Sequence, residues 1–145
     1  NVAVVRYTNT ISPPGDWVNP KPAEPTYAAL VCKVDADGNE VAGIRLPDIA
    51  VPLATYTGWN EYKAPYPRGE IADRDGSYLT FAPDKAAREA SGDPRLSIAE
   101  RYTDRAAYVA KVRAAAAALV DDRLLLQEDA ERYVERARQE SRVVP

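Results

Sequence analysis

Ten of the twelve prolines in this 145-residue chain fall at or before Pro83, together with six of its seven glycines. Proline locks φ, lacks a backbone donor and biases the preceding residue towards extended conformations. Residues 1–83 therefore cannot form long helices, whereas the Ala-, Arg- and Glu-rich residues 84–145 can. The expected organisation is an extended, irregular half (1–83) with loops and one hairpin, followed by a helical half (84–145). Together they read as one part of a larger domain rather than as two independent domains.

Val2 to Val5 form a short strand-like run, and Pro13-Pro14-Gly15 with Pro20, Pro22 and Pro25 make a stiff connector. A structureless stretch of that length is unusual in a domain standing alone, so it reads as a strap across a larger body. The strongest β signal is a hairpin over about 28–46: an apolar run, the turn Asp35-Ala36-Asp37-Gly38-Asn39, and a return ended by Pro47. Asp-x-Asp-Gly-Asn also invites a calcium reading. The sixth position of an EF-hand loop must be Gly, however, and here it is Glu40, so the turn is the expected role. Glu70, Asp73 and Asp75 around Arg74 read likewise as a charged turn.

In the second half the periodicity predicts three helices, about 84–90, 104–121 and 127–141. Asp84 is placed to cap the first, and Gly92 with Pro94 to end it. The second carries the stripe Tyr108, Val112, Ala115/Ala116 and Leu119; the third carries Ala130, Tyr133/Val134 and Ala137. Leu124-Leu125-Leu126 between them is too apolar to be left in water. Arg88, Arg95, Arg101 and Arg105 lie among acidic residues. An anion site at Arg95 and Arg101 is one reading. Arginine forks bracing irregular loops through carboxylates and carbonyls are the preferred one.

The chain contains no His, so neither a Ser-His-Asp nor a Cys-His site can be completed within it. No P-loop, Gly-rich dinucleotide fingerprint, G-x-S-x-G elbow or C-x-x-C occurs either, and no cofactor or metal is expected. The single Cys, Cys32, sits in an apolar run and reads as a small buried hydrophobe. A net charge of −3 offers no basic footprint, so nucleic acid is a poor partner, and no apolar run is long enough to span a membrane. With no Met, the sequence is expected to be a piece of a longer polypeptide.

VDADGNEVAGIRLP (34–47) followed by VPLATYTGWN (51–60), then Gly76-Ser77-Tyr78, Phe81-Ala82, Arg88, GDPRLSI (92–98), Glu100-Arg101-Tyr102 and Leu124-Leu125-Leu126 with Asp129-Ala130, resemble the C-terminal part of a bacterial family. Its members are large proteins described as alpha/beta hydrolase domain-containing. The resemblance covers roughly residues 27–139. It implies an α/β fold, specifically the C-terminal portion of an α/β-hydrolase-type protein, and serine-type hydrolysis of a small-molecule carboxylic ester. The nucleophile and His would lie upstream, in a remaining N-terminal portion that is the implied partner. No catalytic residue carries over to this chain. Export to the periplasm or beyond is a further implication of the resemblance alone.

Within 53–60, Tyr56 and Trp59 pair flat apolar surface with a polar tip, and Thr57 and Asn60 can orient a ligand. Tyr56, Thr57, Trp59 and Asn60 are accordingly the expected substrate-binding residues. The competing role for this loop is structural, with Gly58 turning the chain and Trp59 anchoring it. A reading from a different class makes the whole chain a non-catalytic interaction module derived from a hydrolase tail.

Overall fold

The computed structural model describes residues 6–7, 27–28, 32–65, 71–72 and 74–143. Val2–Val5, the proline connector, Glu70 and Asp73 lie outside them. The fold is α/β: five helices and short antiparallel strand pairs make up the regular structure of the described residues.

The expected hairpin is present but much shorter. Its turn closes through Gly38 N–H to the Asp35 carbonyl (3.1 Å) and Asp35 N–H to the Asn39 carbonyl (2.8 Å), with a single bridge between Val34 and Glu40. The Asp35 carboxylate accepts from the N–H groups of Asp37 and Asn39, and Gly38 takes φ +80°, so the turn is built from its own side chains. Outward of the bridge Val41 N–H donates to the Lys33 carbonyl (3.1 Å), and among the described residues the pairing goes no further. Strand β2 (Tyr27–Ala28) pairs instead with β1 (Arg6–Tyr7), and the return segment turns at Gly43, φ +79°. Cys32 is exposed rather than buried, because it precedes the bridge and lies beyond the packed part of the hairpin.

Helix α1 (Pro47–Ala50) begins on a proline at its first position, where the missing N–H has no intrahelical partner to lose. Next comes β3 (Ala54–Thr57), then β4 (Asn60–Glu61), β5 (Ile71–Ala72) and β6 (Ser77–Thr80). β3 pairs with β6 in the register Ala54–Thr80, Thr55–Leu79, Tyr56–Tyr78 and Thr57–Ser77, and β4 pairs with β5. The approach at the start of β6 requires glycine: a Cβ on Gly76 would lie 2.0 Å from the Thr57 carbonyl oxygen.

Helix α2 (Lys85–Ser91) has the Asp84 cap and the left-handed Gly92 stop that the sequence predicts. Two further short helices, α1 and α3 (Ile98–Arg101), were not expected. α3 is organised by a complete capping box between Ser97 and Glu100, an S-x-x-E signal legible in the sequence. Helices α4 (Arg105–Asp121) and α5 (Gln127–Arg138) pack together, burying Tyr108, Val112, Ala116 and Leu119 of one and Ala130, Val134 and Ala137 of the other. Those are the predicted stripes. The core joins Tyr108, Val112 and Ala137 of these to Val51, Leu53, Phe81, Ile98, Tyr102 and Val143, so it draws on residues from both sides of Pro83. Leu124 and Leu126 are not covered, being 46% and 64% exposed. The chain reverses there through Arg123 at φ +60°, which turns both leucines outward between the two helices.

Candidate functional site

The position of β3 is set by contacts on both its edges. One edge carries β6. The other is taken by the fully buried side chain of Asn39, whose amide donates to the Ala54 carbonyl (3.1 Å) and accepts from Tyr56 N–H (2.8 Å). Thr55 ties the same strand to the turn by donating to the Asp37 carbonyl.

Arginines lock this arrangement. Arg101 forks onto the Asp37 carboxylate, with Nη1 to Oδ2 at 2.7 Å, and donates to the Leu96 carbonyl. Arg95 is held by Asp93 and reaches the Thr55 hydroxyl (2.8 Å) and the Leu79 carbonyl (3.0 Å). Both guanidinium carbons lie over the Phe81 ring, at 5.0 and 4.1 Å from its centre. Arg88 pairs with Glu100, and Arg45 with Asp35. Bracing of loops through carboxylates and carbonyls is thus what these arginines do. The carboxylates of Asp35 and Asp37 serve as their counter-ions, and among the described residues no cluster suited to a metal ion occurs.

Held this way, β3 and β6 present Tyr56 and Tyr78 to a cleft of about 300 Å³ that Tyr108 of α4 and Tyr133 of α5 also line. Val51, Leu53, Val112 and Ala137 line its apolar part. The Tyr56 and Tyr78 rings meet edge to face with centres 5.1 Å apart. Around the cleft stand two ion pairs. Asp48 accepts twice from Arg136 (2.9 and 3.0 Å), and Glu140 takes Arg142 through Nε at 2.8 Å and Nη2 at 2.7 Å. Arg142 also donates to the Tyr78 hydroxyl, and Arg136 lies over the Tyr133 ring.

The electrostatics favour binding over reaction. Burial, with the Asp48 charge second, pushes the Tyr56 phenol up to about 12. Burial, with the Glu140 charge second, does the same for Tyr108, and burial raises Tyr133 as well. These phenols stay protonated at neutral pH and so keep an O–H to donate. The hydrogen bond from Arg142 holds the Glu140 carboxyl below its ordinary range, so it carries no proton to give. None of these groups is poised as a base or nucleophile near neutral pH.

Of the four expected ligand contacts, the structure brings only Tyr56 into this cleft. Thr57 donates to the Trp59 carbonyl and accepts from Ser77 N–H (2.9 Å). The Asn60 side-chain amide oxygen accepts from the Ser77 hydroxyl and from Glu61 N–H, both at 2.9 Å. Thr57, Trp59 and Asn60 therefore shape the end of the β3–β6 pair beyond Tyr56. Sequence reasoning missed Tyr78, Asp48 and the Glu140–Arg142 pair as cleft residues, and took Tyr108 and Tyr133 only as core. No local signal could have joined them, since Arg136 and Asp48 are 88 residues apart.

A family model described as an alpha/beta hydrolase domain matches residues 9–135. No curated protein and no solved structure matches the chain.

Proposed function

Because the chain belongs to the alpha/beta hydrolase domain family, we propose that it is a C-terminal segment or subunit of a serine-type carboxylic-ester hydrolase whose nucleophile and histidine are supplied from outside these residues. The observation that carries this reading is the pairing of that membership with a complete absence of His. A serine hydrolase of this kind needs an imidazole, or an equivalent base, beside its nucleophile. A serine outside the chain attacks the ester carbonyl, donated hydrogen bonds hold the resulting oxyanion, the alcohol leaves, and water releases the acid. This segment contributes the cleft: Tyr56 faces the ligand, while Thr57, Trp59 and Asn60 form the mouth beyond it. The exposure of Leu124 and Leu126 in the segment between α4 and α5 supports a body made to be covered by the remaining portion.

The test is to label the intact polypeptide with a fluorophosphonate, digest it and locate the adduct. The adduct is expected on a serine outside these 145 residues. An adduct on a serine within them, or ester hydrolysis by these residues alone, overturns the reading.

A further inference from the structure

We propose that the tyrosine-lined cleft binds an uncharged ring, an aromatic or alicyclic group bearing a hydrogen-bond acceptor, rather than a charged head group or a straight acyl chain. That the ring is carried on an ester rests on the function proposed above; that it is neutral and ring-shaped rests on the cleft alone.

The charge argument comes from the rim. Its two carboxylates and two guanidiniums are already matched, Asp48 with Arg136 and Glu140 with Arg142. A charged ligand entering the cleft would lose its water and find no unmatched counter-charge, which is costly. A neutral one faces no such penalty.

Shape and polarity come from the walls. Tyr56 and Tyr78 stand edge to face at 60°, offering both a ring face and a ring edge to a third ring. The tyrosine rings, with the small apolar contribution of Leu53 and Val112, suit the hydrocarbon part. The protonated phenol of Tyr108 supplies a donor, so the matching ligand atom is an acceptor such as a carbonyl or ether oxygen. A volume of about 300 Å³ lies at the small end of ligand pockets, which fits one or two rings better than a long chain. The cleft is assembled from β3, β6, α1, α4, α5 and the segment after α5, so it is preformed by the fold.

Calorimetric titration of the intact polypeptide with methyl naphthyl ketone, with naphthoate and with a straight-chain methyl ketone of equal carbon number tests this directly. The naphthyl ketone is expected to bind about tenfold or more tightly than either of the others. Tyr78→Ala should weaken it about tenfold and Tyr108→Phe about fivefold, whereas Leu126→Ala, outside the cleft, leaves it unchanged. Melting curves check each variant. Tyr108→Phe keeps the core volume and decides the matter if Tyr78→Ala is unstable. Equal affinity for naphthoate or for the chain ketone overturns the assignment, as does the absence of binding by all three. In that last case measured ester hydrolysis would leave the hydrolase reading standing alone. Binding of the naphthyl ketone without ester hydrolysis would keep the cleft and remove the hydrolase reading.

Discussion

Asn39 and Tyr56, seventeen positions apart, are joined by a 2.8 Å hydrogen bond from the Tyr56 backbone N–H to the Asn39 amide oxygen. With the Asn39 amide also donating to the Ala54 carbonyl at 3.1 Å, one side chain does for that edge of β3 what a neighbouring strand would do. It thereby places Tyr56 in the cleft. Asn39→Ala leaves a buried carbonyl and a part-buried N–H unpaired and should destabilise the protein by about 2–4 kcal/mol. Urea unfolding measures it. A loss below about 0.5 kcal/mol would mean that water or another group replaces the amide.

Gly76→Ala places a methyl group against the Thr57 carbonyl oxygen, where the Cβ position lies only 2.0 Å away. Backbone rather than a flexible side chain must then shift, so a loss of about 2 kcal/mol or more is expected. Gly92→Ala meets no atom within 4 Å but holds φ +67°, so its cost should be smaller and confined to the end of α2. Equal melting temperatures for Gly76→Ala and the parent chain would contradict the close approach.

Stability should fall on acidification through the window from about pH 4.5 to about 2. The hydrogen bond from Arg95 lowers Asp93 from 3.8 to about 2, and the hydrogen bond with the Ser97 hydroxyl, assisted by Arg88, lowers Glu100 from 4.5 to about 2. Both carboxylates are depressed in the folded state, so their contribution is present above the unfolded values and is lost as pH falls through the folded ones. Denaturant midpoints measured from neutral to acid pH should show a shallower decline in Glu100→Gln than in the parent. Parallel declines would exclude Glu100 as a source.

At alkaline pH the sign reverses. Tyr56 and Tyr108 are raised to about 12, so the stability they contribute is full below about pH 10 and is lost as pH rises through about 12. An ultraviolet titration of the phenolates should show a late-titrating group that shrinks in Tyr108→Phe. Ionisation of every tyrosine in one step near pH 10 would count against the buried cleft phenols.

Trp59→Ala separates the two roles open to the loop. As part of the cleft mouth, its loss should lower kcat/KM of the intact polypeptide for a ring-bearing ester about tenfold, with little change in melting temperature. A lowered melting temperature with unchanged kcat/KM would assign Trp59 to anchoring alone.

What the residues determined by themselves is local. Asp84 caps α2, Gly92 ends it, and the stripes of α4 and α5 face the core, because propensity, capping and periodicity act over a few positions. The Asp35–Asn39 turn is local too, since its own side chains close it. Tertiary structure decided the rest. It cut the hairpin short, exposed Cys32 and turned Leu124 and Leu126 outward. It also drew Arg95 to Thr55 across 40 positions and Arg101 to Asp37 across 64. The cleft belongs to this second group, with tyrosines from two strands and two helices and ion pairs from separate segments. No residue's own conformational preference encodes such partners; they are selected only when the packed chain removes water from both at once.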